Sequence, residues 1–125
     1  MKNYTEFQKM PLEQRRRDLL EYLETKNYKL FELICLSLRK DESQIIRHEA
    51  CFLLGSSRKP EAIRYLINAI RNDHSPLVKH EAIEALGDLN IKTPEVFSIL
   101  NKIHKSSKSF IKETAEMSLK MLGAN

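Results

Sequence analysis

Two stretches of the chain place a histidine directly before a glutamate, and these residue types can bind a metal ion. They read IRHEACFLLG and VKHEAIEALG, and they supply His48 with Glu49 and His80 with Glu81. Two imidazoles and one carboxylate, with other positions left open, form a ligand set typical of non-haem iron centres that activate dioxygen. Neither stretch has the second histidine that a metalloprotease motif carries four residues later. The residue types therefore favour an iron site over a zinc protease site.

The spacing of the two stretches is also the period of a repeat. Both end in Leu-Gly, and the interval from His48 to His80 equals the interval from Gly55 to Gly87. A third, degraded copy, IKETAEMSL, keeps an alanine and a leucine at nearly the same interval, at Ala115 and Leu119, but has lost the His-Glu pair and the glycine. A constant period of roughly 30 residues is typical of stacked helical hairpins. We therefore predict a repeat scaffold in which two copies carry His-Glu.

The composition is consistent with a single helical domain. The chain has 125 residues, three Gly and four Pro, and few turn residues argue against a sheet protein. Its formal net charge of +4 comes from basic residues that alternate with acidic ones, which does not indicate nucleic-acid binding. Cys35 and Cys51 form no Cys-x-x-Cys pair and are expected to be reduced core thiols of a cytoplasmic protein. No signal peptide or membrane span is predicted.

The apolar periodicity predicts an all-α fold, a HEAT-like superhelix (solenoid) of about seven helices in two layers. Residues 1–26 are expected to form an N-terminal capping helix, opened by Pro11 after a polar and frayed start. Its run Arg15–Arg17 is interpreted as a solvated face, with a phosphate or acidic-partner site as the alternative. Residues 27–125 are expected to hold the repeats.

Capping residues place the two His-Glu helices. Asp41 with Gln44 resembles a capping box before the first of them. Ser75 is expected to cap the second, with Pro76 at its first position. Gly123 is expected to end the last helix.

Helical geometry places both histidines away from the buried stripes of their helices. At about 100° per residue, His48 points away from the stripe, and Gly55 lies below it, two turns along on the same side. His80 and Gly87 repeat this arrangement. Equivalent helices in such stacks lie ~10 Å apart, so the two imidazoles can converge on one atom. A repeat that was copied without any function remains the alternative.

These motifs and two later stretches resemble the deoxyhypusine hydroxylase family. The later stretches are PEVFSIL, from Pro94, and IKETAE, from Ile111. The resemblance covers roughly the chain from Ser43 to Leu122, and a doubled motif at this spacing is fairly specific. More broadly, the chain is similar to HEAT-like repeat proteins, including those of the phycobilisome-lyase type.

The resemblance implies both a fold and an activity. Members of the family are superhelices of two similar halves, each with two His-Glu motifs, and the facing halves hold two irons that activate dioxygen. Their reaction hydroxylates deoxyhypusine, a modified lysine side chain, on a translation factor. Carried over by position, His48, His80 and Glu81 would be metal ligands. Glu49 would be a catalytic carboxylate that holds the amine of the substrate, or it would support the metal ligands or bridge the metal ions.

The chain departs from the family in offering one half rather than two. We therefore expect a homodimer with opposed motif faces, which holds two irons, one per subunit. Ile45, Phe52 and Leu77 flank the histidines and are candidate interface or pocket-wall residues, unless ordinary helix packing buries them. Glu49 and Glu84 would attract the cationic tail of an aliphatic amine or of a modified lysine on a translation-factor-like protein.

Two other classes of function stay open. A metal-free HEAT-repeat scaffold would use the same concave face to bind a protein or a peptide. A bilin-handling or nucleic-acid-binding repeat protein is disfavoured, because the sequence shows no platform of aromatic and basic residues. His74 and His104 lie outside the motif positions and are expected in a turn and on a helix surface.

Overall fold

The computed structural model describes residues 3–106 and 109–124, and it confirms an all-α fold. Over these residues the chain forms nine helices and no strand. They are α1 (Tyr4–Gln8), α2 (Leu12–Leu20), α3 (Tyr22–Thr25), α4 (Tyr28–Lys40), α5 (Gln44–Ser56), α6 (Ala62–Asn72), α7 (Pro76–Leu89), α8 (Pro94–Ser106) and α9 (Ser109–Met121). Within the described ranges, none of these helices is both long and apolar enough to cross a membrane.

The count exceeds the predicted seven because the segment before α4 holds three short helices rather than one. The expectation of a frayed start is wrong from Asn3 onward. The Asn3 side chain accepts a hydrogen bond from the backbone N–H of Glu6 and so caps α1, while Phe7 is fully buried. After α2, one turn residue precedes α3, and Lys26 then takes a left-handed conformation that ends α3. Local capping and one buried aromatic therefore order a stretch whose composition is polar.

The helices form two layers. α4 packs against α5, α6 against α7, and α8 against α9, so each pair is a helical hairpin. α5 also packs along α7, and α7 along α9, which makes these three helices one continuous inner row. α2 extends the row because it packs on the free side of α5. The stacking of successive hairpins positions the two His-Glu helices, α5 and α7, side by side.

Two serines begin the His-Glu helices. Ser43 Oγ accepts hydrogen bonds from the N–H groups of Ile45 and Ile46 in α5, and Ser75 Oγ accepts one from the N–H of Val78 in α7. The predicted capping box of Asp41 and Gln44 is wrong. Asp41 instead accepts a hydrogen bond from the Ser43 N–H at 2.9 Å, and Gln44 accepts one from the Ser75 hydroxyl at 2.6 Å. The cap of Ser75 with Pro76 behind it is confirmed.

Arginines on the inner row tie each hairpin to the next. Arg15 Nη2 lies 3.3 Å from Asp41, and one repeat later Arg47 Nε lies 2.8 Å from Asp73. The Arg15 side chain is only 13% exposed, so its interpretation as part of a solvated face is wrong. Its charge instead fastens α2 to the turn before α5.

The two glycines predicted to lie below the histidines are buried contacts between helices. A Cβ atom added at Gly55 would lie 2.9 Å from the Cα atom of Ala85 on α7. One added at Gly87 would lie 3.0 Å from the Cα atom of Ser118 on α9. Each glycine therefore lets one inner helix approach the next, and this approach fixes the distance between the side chains of the repeated motifs.

Candidate metal centre

The two His-Glu helices bring three of the predicted residues to one place. His48 lies on α5, and its Nε2 atom is 3.5 Å from Glu81 Oε2 on α7. His80 precedes Glu81 on the same helix, and its Nδ1 atom is 3.7 Å from Glu84 Oε2, one turn along. A histidine from one hairpin and a glutamate from the next therefore meet across the α5–α7 contact.

Among the residues that the structure describes, one cluster of side chains has a spacing that could hold a single ion. His80, Glu81 and Glu84 each offer a ligand atom, and these atoms all lie within 4.8 Å of one another. All three side chains are partly buried. Glu84 was expected to bind substrate, yet it stands among the potential ligands. His48 approaches the same cluster through Glu81.

The charges around Glu81 favour a cation. Burial, a hydrogen bond with Glu84 and the charges of Glu84, Asp88 and Glu49 raise the pKa of Glu81 to about 7. Burial and the charge of Glu84 also raise the pKa of Asp88. Each shift means that the carboxylate form is disfavoured by its surroundings, and a divalent cation would remove that penalty. A mixed set of imidazoles and carboxylates also suits iron and other transition metals better than it suits calcium or magnesium. The residues therefore fit such an ion.

Glu49 is turned to a different partner. Its Oε1 atom accepts hydrogen bonds from Arg16 Nη2 at 2.9 Å and from Arg16 Nε at 3.3 Å. Sequence reasoning missed Arg16 as part of this region. The signal was present, because the interval from Arg16 to His48 equals the interval from His48 to His80.

Apolar side chains border the histidines on the exposed side. Ile45, Phe52 and Leu77 are 42%, 40% and 45% exposed, so helix packing within one chain leaves them open to solvent. Met117 and Met121 on α9 are also exposed, and sequence reasoning did not single them out. Large apolar side chains exposed beside the histidines suit a contact surface.

The other two histidines are outside the cluster. His104 on α8 lies 3.6 Å from Glu116 on α9, and it is partly buried there. His74 lies in the turn before α7 and borders a cleft between α4 and α6, together with Arg39 and Asn68. Their positions agree with the expectation that neither belongs to the His-Glu site.

Comparison with known proteins defines the class. A family model described as HEAT repeats matches residues 31–120, and the chain belongs to this family of helical repeat proteins. No curated protein matches the chain by sequence.

A solved structure shows a more specific similarity than the family model does. The structure of human deoxyhypusine hydroxylase in complex with glycerol superimposes with a TM-score of 0.82 at 28% sequence identity. The match covers 93% of this chain and 40% of that chain. The predicted similarity to deoxyhypusine hydroxylase is therefore confirmed, and the chain spans less than half the length of that enzyme.

Proposed function

We propose that this protein is a non-haem iron oxygenase of the deoxyhypusine hydroxylase type whose two-metal site is completed by a second copy of the chain. The observation that carries the proposal is the meeting of His48, on one hairpin, with the cluster of His80, Glu81 and Glu84 on the next. The likeness to human deoxyhypusine hydroxylase at 28% identity supports the same assignment.

His48, His80 and Glu81 would hold the ion. The chemistry that iron supplies in such a site is the activation of dioxygen. In the overall reaction, one oxygen atom enters a C–H bond of the substrate and the other leaves as water. Two electrons and two protons from an external reductant balance that reaction. The protein's own contribution is to fix the ligands on two packed helices, where a shift of either helix would separate them.

The carboxylates at the edge of the site would receive the substrate. The Glu84 side chain is 43% exposed, and Glu49, which follows His48 on α5, is 16% exposed. Both would attract the cationic tail of an aliphatic amine, such as a modified lysine side chain on a protein. Because Glu84 also approaches His80, it would orient the amine close to the reacting centre.

A second copy would supply the missing half. The chain corresponds to 40% of the length of the human enzyme, and its histidine face carries exposed apolar residues. A two-fold axis would oppose two such faces and give two irons per dimer, one per subunit. The exposed Ile45, Phe52 and Leu77 would then be buried in the interface.

Metal analysis tests the proposal directly. Protein produced with iron supplied should contain about one iron per chain, and His48→Ala or His80→Ala should weaken iron binding by about tenfold or more, because each removes a ligand. His104→Ala is the matched control, since it removes a partly buried histidine paired with Glu116 outside the cluster. Turnover is then measured as reductant-dependent oxygen uptake with a deoxyhypusine-containing peptide.

The oxygenase proposal would be contradicted by a purified chain that contains no iron. Neither histidine substitution would then change its iron content or its oxygen uptake. The remaining candidate would be a metal-free HEAT-repeat scaffold for protein partners. The exposed apolar residues beside the histidines are compatible with that second function, because they would suit a bound protein as well as a second copy.

A further inference from the structure

Arg16 makes a contact that places it beside the candidate metal centre. It lies on α2, and its Nη2 and Nε atoms both donate to a single oxygen of Glu49, Oε1. The Glu49 side chain is 16% exposed. The other end of the guanidinium reaches Glu13, where Nη1 is 3.5 Å from a carboxylate that is 69% exposed. The strong contact is therefore the one with Glu49, and it leaves Glu49 Oε2 outside the pair.

The repeat register shows what this contact corresponds to. Arg16, His48 and His80 follow one another at one constant interval, which is the period of the repeat. Arg16 contacts Glu49, and one period later His48 contacts Glu81 in the equivalent way. The Arg16 guanidinium thus occupies the same position between α2 and α5 as the His48 imidazole occupies between α5 and α7. An arginine carries a permanent charge and five donors but no lone pair for a metal.

The pairing changes what Glu49 can do. Glu49 follows His48 on α5, and its charge is the smallest of the causes that raise the pKa of Glu81. Released from Arg16, its carboxylate would be a candidate oxygen ligand for an ion held by Glu81 and the histidines. The guanidinium offers it a competing cation with fixed geometry, and a charge-assisted pair of this kind is among the stronger polar contacts in proteins.

We infer that Arg16 is a positioning residue, which keeps Glu49 out of the coordination shell of the ion and holds it at the edge of the site with Oε2 available to a cationic substrate. The inference rests on the proposed function, because it presumes an ion at His48, His80 and Glu81. It adds a residue on the N-terminal helix α2 to a site that the two motifs alone would place on α5 and α7.

Cobalt binding tests this inference without any turnover. Co²⁺ is titrated into the metal-free chain, and its visible spectrum reports the number and type of ligands. Arg16→Met should change the spectrum and tighten Co²⁺ binding by about tenfold, the scale on which neighbours of ligands alter metal affinity. The double variant Arg16→Met/Glu49→Gln should restore the original spectrum. Arg16→Lys should fall between the wild type and Arg16→Met, because it keeps the positive charge but loses the paired donors.

Glu13→Gln is the matched control, since it removes the exposed partner of Arg16 and should leave the spectrum unchanged. The inference is overturned if Arg16→Met binds Co²⁺ as the wild type does, or if its altered spectrum persists in the double variant. Those results would leave the metal site itself standing. If neither the wild type nor Arg16→Met binds Co²⁺, the proposed function fails together with the inference.

Discussion

At the scale of single residues, Glu81 is where the two motifs meet. Its Oε2 atom lies 3.5 Å from His48 Nε2 on the preceding hairpin. Ligand atoms of His80 and Glu84 lie within 4.8 Å of a Glu81 carboxylate oxygen, close enough to share one ion. Its raised pKa has burial as the largest cause, so the site is more than a set of exposed acids. Glu84 adds a carboxylate to the predicted ligand set, and Arg16 pairs with Glu49 beside it.

The buried thiols allow a prediction at the same scale. Both cysteines are buried and free, as predicted. Burial raises the pKa of Cys35 to about 12 and also raises the pKa of Cys51. Because the thiolate is the reactive form, the folded chain should react with iodoacetamide at pH 8 at least about tenfold more slowly than the chain unfolded in guanidinium. Mass spectrometry over time measures the two rates.

The buried thiol of Cys35 gives the stability of the fold a pH dependence of definite sign. The ordinary pKa of a thiol is 9.0, so between about 9 and 12 the unfolded chain loses the Cys35 proton while the folded chain keeps it. This group therefore lowers stability as the pH rises above 9 and has no effect below it.

Rapid alkylation of the folded protein at pH 8 would contradict the buried placement of the thiols.

At the scale of helices, the close approach of the inner row decides the geometry of the site. Gly55 and Gly87 have no side chain, so α5 can approach α7 closely and α7 can approach α9 closely. Ser118 on α9 donates a hydrogen bond to the Ile83 carbonyl at 2.8 Å, so the second of these contacts also carries a polar link. Distances between motif side chains on neighbouring helices follow from these contacts.

A substitution at Gly55 tests this role. Alanine normally stabilises a helix relative to glycine, but the added Cβ would meet the backbone of α7 at Ala85. Gly55→Ala should therefore destabilise the chain by about 1–3 kcal/mol, the usual cost of overpacking, and lower Tm by several degrees. Calorimetry or thermal circular dichroism measures the change.

Ser56→Ala, at the adjoining and less buried position on α5, is the control and should change the free energy of unfolding by less than about 0.5 kcal/mol. A Gly55→Ala variant as stable as the wild type would show that α5 and α7 are not held at the distance seen in the structure.

At the scale of the whole molecule, the chain is an open stack with an exposed motif face. The HEAT-repeat match and the similarity to human deoxyhypusine hydroxylase define its architecture. The proposed dimer would bury apolar residues of α5 and α7 that a lone chain leaves in water.

The dimer can be tested at the interface. The double variant Phe52→Gln/Leu77→Gln should convert a dimer into a monomer, because it removes two apolar side chains from the opposed faces. The control Leu23→Gln/Tyr28→Gln also replaces two exposed apolar residues, but on α3 and α4, and should remain a dimer. Analytical ultracentrifugation over a range of concentrations measures the mass. A wild-type chain that sediments as a monomer would contradict the dimer.

The fold class, the inner row and the motif residues could all be predicted from the sequence. The constant interval between the motifs and the helical period of the apolar residues are local properties, so they are readable without coordinates. The caps at Ser75 and Pro76 follow from local chemistry in the same way. The buried Phe7 and the ordered first helix were not readable, because the polar composition around them gave no sign of the contact that orders them.

Which side chains meet depends on how the helices pack, and the sequence pattern does not give it. The approach of His48 to Glu81, the entry of Glu84 into the cluster and the capture of Glu49 by Arg16 all depend on the packing of neighbouring helices. These contacts join residues on separate helices or depend on rotamers that the neighbours select. A one-dimensional pattern gives the face on which a side chain lies, whereas helix packing sets the distance to its partner, and that distance governs metal chemistry.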